Sequence, residues 1–312
     1  MRLCILTEPQ FGATYDDVLR VAKAAEDLGF EGFFRADHYT PIGGGDGLPG
    51  PTDTWTTLAG LARETSTIRL GSLMTAATFR APGPLAISVA QTDHMSGGRI
   101  EFGLGAGWYE PEHTAYGIPF PDVVERFDRF EEQLAIITGL WETPVGETFD
   151  HAGKYYTLTD SPGLPKPLQR PRPPLLIGGY GTRRTPRLAA RYADEFSLAY
   201  PGFGQVAEAF DRVRRACADV GRSEDSLALA VSQAVCCGRD AAEIARRGPA
   251  GRTAESMRDK WLVGTPDEVV DKIGKLGESG TNRIYLRTHT LSDIDQLELL
   301  AHEVLRQVGS GS

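Results

Sequence analysis

Long apolar runs are missing from this chain. No stretch approaches the roughly 18 residues that a membrane helix requires, so no membrane partner is expected. An excess of positive charge is missing too: 33 Lys and Arg stand against 42 Asp and Glu, a formal net charge of −9. That balance argues against a nucleic-acid-binding surface, although a local basic pocket is compatible with it. Cysteine is scarce. Cys4, Cys217, Cys236 and Cys237 show neither a Cys-x-x-Cys pair nor a metal-finger spacing, and adjacent cysteines bridge each other only with difficulty. A scaffold of this size needs no disulfide staples, so reduced thiols in a cytoplasmic protein are expected. The apolar run Leu3 to Leu6 passes directly into Thr7-Glu8-Pro9-Gln10, with neither the length nor the small-residue cleavage site of a secretory signal. P-loop, Gly-x-Ser-x-Gly and His-Glu-x-x-His motifs do not occur, which leaves NTPase, hydrolase and zincin chemistry without support.

What is present is an ordinary globular composition, 41% hydrophobic and 24% charged over 312 residues, enough for one large domain or two small ones. Short apolar runs alternate with helical stripes. Strands are predicted at Leu3–Leu6, Gly32–Ala36, Ile68–Ser72, Arg99–Leu104, Pro174–Ile177, Asp194–Ala199, Ala228–Val235 and Arg283–Arg287. Between them lie helical patterns. Val18, Val21, Ala22, Ala25 and Leu28 are closed by Gly29, and a helix capped by Asp53 or Thr54 runs to Glu64. Another helix runs from near Pro84 to Met95, and Val124, Phe127, Phe130, Leu134, Ile137 and Leu140 form one long stripe. Further helices are expected at 186–192, 204–219 and 266–277, with a last one over 292–308 and a β-hairpin insertion over 149–158. Eight strands in series with helices between them, and no linker, predict a single α/β domain over residues 1–308: a closed (β/α)8 TIM barrel with insertions at its C-terminal face. Residues 238–261 read as a mobile insertion over the mouth, and Gly-Ser-Gly-Ser at 309–312 as a flexible tail.

In such a barrel, chemistry sits just past the strand C-termini. The second strand ends in Asp37-His38, a carboxylate beside a group able to serve as general base near neutral pH, although a loop-capping Asp and a structural His would give the same pattern. The third ends in Gly71-Ser72-Leu73-Met74-Thr75, suited to one flat wall for a ring system or to plain core. The fourth ends in Gly103-Leu104-Gly105-Ala106-Gly107-Trp108, where glycines admit close approach and Trp108 could cover what binds. It is not a dinucleotide fingerprint, because no capped helix follows at once. The fifth ends in Gly178-Gly179-Tyr180-Gly181-Thr182 before a helix. Backbone N–H groups there form a phosphate site, with Arg183 and Arg184 beside it, unless the glycines serve turn geometry alone. Glu110 and His113 have the i, i+3 spacing of some metal pairs, but no second half of such a site is present, so no metal is expected.

These residues also carry a family resemblance. Gly-Phe-Glu-Gly-Phe-Phe-Arg-Ala-Asp-His (29–38), Arg-Leu-Gly-Ser-Leu-Met-Thr (69–75) and Ser-Gly-Gly-Arg-Ile-Glu-Phe-Gly-Leu-Gly-Ala-Gly-Trp (96–108) resemble the bacterial-luciferase-like superfamily. So do Glu-Arg-Phe-Asp-Arg (125–129), Gly-Lys-Tyr-Tyr (153–156) and Pro-Pro-Leu-Leu-Ile-Gly-Gly-Tyr-Gly (173–181), so that the likeness spans about residues 1–305. Within it the chain is most similar to the branch that uses the deazaflavin coenzyme F420, a preference carried by Asp37-His38 and the 103–108 segment. The resemblance implies a (β/α)8 barrel with a non-proline cis peptide at Ser72–Leu73 backing the deazaflavin ring. It places Asp37 and His38 near the reactive part, Thr75, Ala106 and Gly107 along the ring, and the phosphate at Gly178, Gly179, Gly181 and Thr182. It implies an F420-dependent oxidoreductase that transfers a hydride to or from a small organic substrate. His38 is the candidate proton donor or acceptor, tuned or oriented by Asp37, and a homodimer is expected. Members that oxidise sugar phosphates carry a Glu directly after the fourth-strand glycines. Trp108 stands there in this chain, a departure that puts that activity in doubt, and Glu110, two residues on, could substitute only if the loop differs. An FMN-dependent monooxygenase and a non-catalytic F420-binding protein are the alternatives.

Overall fold

The computed structural model describes residues 1–249, 253–258 and 260–309. In chain order the strands are β1 (Arg2–Thr7), β2 (Gly32–Arg35), β3 (Arg69–Ala76), β4 (Ile100–Gly105), β5 (Phe149–Ala152), β6 (Thr157–Ser161), β7 (Leu175–Gly178), β8 (Glu195–Ala199), β9 (Ala228–Cys237), β10 (Leu262–Gly264) and β11 (Arg283–Arg287). Eight of them close a ring in which every pairing is parallel, in the order β1, β2, β3, β4, β7, β8, β9, β11 and back to β1. This is the predicted (β/α)8 barrel. Its strands are buried on both faces, which is why they read as short apolar runs rather than as alternating ones.

Period two still operates inside the ring. Cys4 and Leu6 point inward and join Phe34, Leu176, Ala230 and Tyr285, while Leu3, Ile5, Phe33 and Ile177 pack outward against the helices. The floor of the barrel is ionic. Arg283, the first residue of β11, lies 2.6 Å from Glu101 of β4, 3.1 Å from Glu195 of β8 and 2.6 Å from Glu31, and the Tyr285 hydroxyl donates to Glu195. Burial pushes the Glu195 carboxyl up to about 7 despite Arg283, with Glu101 adding repulsion. Burial alone would raise Glu101 as well, but Arg283 and Arg69 outweigh it and hold that carboxyl below its ordinary range.

Around the ring lie α1 (Tyr15–Asp27), α2 (Thr54–Glu64), α3 (Pro82–Ser96), α4 (Glu110–Ala115), α5 (Val123–Glu142), α6 (Arg184–Tyr192), α7 (Val206–Asp219), α8 (Ala241–Arg247), α9 (Ala254–Arg258), α10 (Pro266–Glu278) and α11 (Ile294–Leu299). Capping follows local sequence: Thr14 and Asp17 form a capping box on α1, and Asp53 accepts the Thr56 N–H to start α2. The insertion β5–β6 is the expected hairpin. It is tied to α5 by Glu132, whose carboxylate accepts the N–H groups of Lys154, Tyr155 and Tyr156 at 2.8 to 3.1 Å. No helix among the described residues is long and apolar enough to cross a membrane.

Three departures concern the mouth and the C-terminus. The segment after β4 holds α4, for which the sequence carries no apolar helical stripe. Within 238–261 the described residues form α8 and α9 and lead into β10, which pairs parallel beside the end of β9, with Leu262 opposite Val235. Within this segment Arg247 is a buried anchor 2.9 Å from Asp293. The last helix is not uniform: α11 passes into a π-helical stretch, Leu300–Leu305, before α12 (Arg306–Gly309). Gly309 therefore closes a helical turn rather than opening a tail, and residues 310–312 of the expected tail lie outside the described residues.

Candidate active site

The site is assembled where β2, β3, β4 and β7 end. Beyond β2, Arg35 is wholly buried and donates to the Thr52 carbonyl at 2.7 Å and to the Thr52 and Thr57 hydroxyls at 2.9 and 2.8 Å, which fixes the far end of the 37–52 loop. Asp37 is 1% exposed and ion-paired with Arg80 at 2.5 Å. The same guanidinium engages Asp53 and the Tyr39 hydroxyl, so one cation ties together the end of β2, the cap of α2 and the turn before α3. Burial alone would lower the Arg80 pKa, but Asp37 and its neighbours outweigh that and keep the side chain charged.

His38 turns the other way, because successive side chains of an extended segment alternate in direction. Its Nδ1 lies 2.9 and 3.2 Å from the two carboxylate oxygens of Glu112 on α4, and the Tyr39 N–H donates to Glu112 at 2.9 Å. Glu112 is buried, while the His38 side chain keeps 16% of its surface. The rings of Trp108 and Tyr109 stand edge-on to the imidazole, with centroids 5.8 and 6.2 Å away. The expected pairing of Asp37 with His38 is therefore corrected: Arg80 holds Asp37, and Glu112 is the partner of His38. Glu110, considered from the sequence, lies exposed on the first turn of α4.

The wall at β3 also differs in detail. The non-proline cis peptide is Leu73–Met74, one residue later than expected, within a register irregularity between Ser72 and Thr75. Ser72 and Thr75 are both buried and turned into the protein. The Thr75 hydroxyl donates to Ser72 Oγ at 3.1 Å and accepts the Trp55 indole N–H at 3.1 Å, and Ser72 donates to the Gly103 carbonyl. Leu73 and Met74 are the half-buried groups above the interior cluster. Met74 lies so close to Gly103 and Gly178 that an added Cβ there would stand 3.3 and 2.7 Å from it. Those two glycines therefore make room for a side chain as well as for backbone. Ala106 and Gly107 are half-buried past β4, and Trp108 is 62% exposed.

Beyond β7, Gly179 has φ of +131°, a conformation that L side chains rarely adopt, and Gly181 and Thr182 are exposed. Helix α6 opens here without a side-chain cap, so its first N–H groups remain available to an anion. Arg184 is drawn away to Asp128 at 2.7 Å, which leaves Arg183, exposed at the helix start, as the adjacent cation. Across the mouth, Arg287 pairs with Glu8 at 2.5 Å and the Tyr200 hydroxyl donates to Glu8 at 3.0 Å. A cavity of about 300 Å³ lies beside this pair, lined by residues including Phe11, Arg20, His289 and Leu291. No motif in the sequence marks Glu112, Arg80 or the Glu8–Arg287 pair. Each depends on contacts between segments far apart in the chain, for which no local spacing gives a signal.

The comparisons with known proteins agree with this architecture. Residues 1–253 match the model of a family described as luciferase-like monooxygenase. An F420-dependent glucose-6-phosphate dehydrogenase of Beutenbergia cavernae is 28% identical over 93% of this chain and 92% of its own length. An FMNH2-dependent dimethylsulfone monooxygenase of Pseudomonas putida is 35% identical over 36% of this chain and 31% of its own. Among solved structures, an F420-dependent secondary alcohol dehydrogenase in complex with an F420-acetone adduct superposes with a TM-score of 0.84 at 18% identity, covering 97% of this chain and 98% of that one.

Proposed function

The chain belongs to the luciferase-like monooxygenase family, and from that premise we propose that it is a coenzyme F420-dependent oxidoreductase acting on a small alcohol or carbonyl compound. The observation that carries this reading is the pair of half-buried His38 and buried Glu112 at the barrel mouth, because converting an alcohol to a carbonyl, or the reverse, moves a proton on the substrate oxygen together with a hydride. The F420-dependent relative, matched along nearly the whole chain, supports the cofactor.

The residues fit the group. The uncapped start of α6 with Gly178, Gly179, Gly181 and Thr182 suits its phosphate, and Leu73 with Ala106 and Gly107 offers small and apolar surface to a planar ring. Bound there, the deazaflavin supplies hydride transfer. The chain's own part is to hold that ring and to move a proton at the substrate oxygen through His38, with Trp108 and Tyr109 limiting water beside the imidazole. Asp37 acts on the loop that carries His38, through Arg80, rather than on the imidazole.

Titrating the purified protein with F420 and, separately, with FMN, followed by fluorescence at fixed ionic strength, tests the reading. Tighter binding of F420 is expected. A preference for FMN overturns it and favours the monooxygenase chemistry named for the Pseudomonas relative.

A further inference from the structure

We infer that Glu112 is a positioning residue that holds neutral His38 with its proton on Nδ1, leaving Nε2 as the ring nitrogen that exchanges a proton with substrate. This deepens the reading of His38 as the proton-transfer group and rests on it for its functional meaning. The tautomer itself follows from the contacts. An ionised carboxylate only accepts hydrogen bonds. With Nδ1 at 2.9 and 3.2 Å from the two Glu112 oxygens, a hydrogen bond between them requires the imidazole proton to sit on Nδ1. The buried carboxylate needs donors, and the Tyr39 N–H supplies only one of them.

The support beneath Glu112 is rigid. His113, the next residue, is wholly buried, with Nδ1 2.8 Å from the Tyr109 carbonyl and Nε2 2.7 Å from the Thr78 hydroxyl. Its ring packs between Phe79 and Phe120, with centroids 5.1 and 4.5 Å away. Helix α4 is therefore locked to the turn after β3, and it presents the carboxylate at a set place. The rings of Trp108 and Tyr109 flank the imidazole edge-on.

Long-range proton–nitrogen NMR of uniformly 15N-labelled protein, without cofactor or substrate and at a pH where His38 is neutral, reads the tautomer directly. The His38 resonances are assigned by their disappearance in His38→Ala. The wild type is expected to show the Nδ1–H form. Glu112→Gln keeps an acceptor for the Tyr39 N–H but offers an amide donor towards Nδ1, and is expected to shift the tautomer ratio towards Nε2–H by roughly tenfold or more. Glu112→Asp, which restores the carboxylate, is expected to return the ratio towards Nδ1–H. A purely structural tie would leave the Gln variant with the wild-type ratio. That result, or an Nε2–H majority in the wild type, overturns the inference. Should Glu112→Gln fail to fold, the wild-type tautomer alone decides. The measurement involves no cofactor, so it stands or falls separately from the F420 titration.

Discussion

Replacing Glu195 by Gln removes a carboxyl on the barrel floor whose ionisation opposes folding. Glu195 is 3% exposed, and burial pushes it up to about 7 from the ordinary 4.5. A carboxyl with a raised folded-state pKa contributes stability that is fully present below the unfolded value and is lost as pH rises through the folded one. For Glu195 that window runs from about 4.5 to about 7, and the loss between pH 5 and pH 8 is roughly 2 to 3 kcal/mol. Gln cannot titrate, so whatever fixed cost the substitution carries, the variant escapes this loss. The stability of Glu195→Gln relative to wild type should therefore rise by roughly 2 to 3 kcal/mol on going from pH 5 to pH 8. For a chain of 312 residues that corresponds to a relative gain of about 4 °C in Tm. Urea unfolding of both proteins at the two pH values, followed by circular dichroism, gives the difference directly. A gap between them that stays constant across that interval would refute the assignment of a raised pKa to the Arg283–Glu101–Glu195 cluster.

Other substitutions probe the mouth. His38→Ala is expected to bind F420 within about twofold of wild type while losing roughly 10²- to 10⁴-fold in turnover; steady-state rates on the substrate found by screening check it, and unchanged turnover removes His38 from the mechanism. Gly179→Asp places a carboxylate at the anion site and a side chain at φ of +131°, so F420 affinity should fall at least about tenfold in the fluorescence titration. Equal affinity would move the phosphate elsewhere. Arg80→Met strands Asp37, 1% exposed, without its counter-charge, and should cost about 3–5 kcal/mol in urea unfolding. An unchanged midpoint would show that the Asp37–Arg80–Asp53 cluster contributes no stability.

The barrel was legible because its signals are local. The run 283–287 and the cap at Asp53 fall where the sequence puts them, and the stripe from Val124 to Leu140 lies within one long helix. Helix α4 was not legible: Glu110-Pro111-Glu112-His113 carries no apolar stripe, and six residues are too few to show a period, although Pro near a helix start is a hint in hindsight. The same division runs through the site. The turn at 178–182 declares itself, since Gly179 answers a backbone requirement set within a few residues. His38 and Glu112 stand 74 positions apart, and only closure of the ring brings them together. Asp37 misled because adjacency in sequence suggests a pair, whereas alternation along an extended segment sends neighbours to opposite sides. The cis bond was displaced by one residue because the register irregularity of β3 spans Ser72 to Thr75, and the family likeness does not by itself select the bond.

The Arg80 cluster has a consequence for how such a protein can change its substrate. Its members are Asp37, Tyr39, Asp53 and Arg80, and the partner of His38 is Glu112. None of these groups comes from α8 or α9, which pack against β9 and β10. Anchoring of the His38 imidazole is thus physically separate from the surface those two helices present. Changes to α8 and α9 leave the partners that aim His38 in place, so this part of the barrel can diversify while the setting of the imidazole is inherited unchanged.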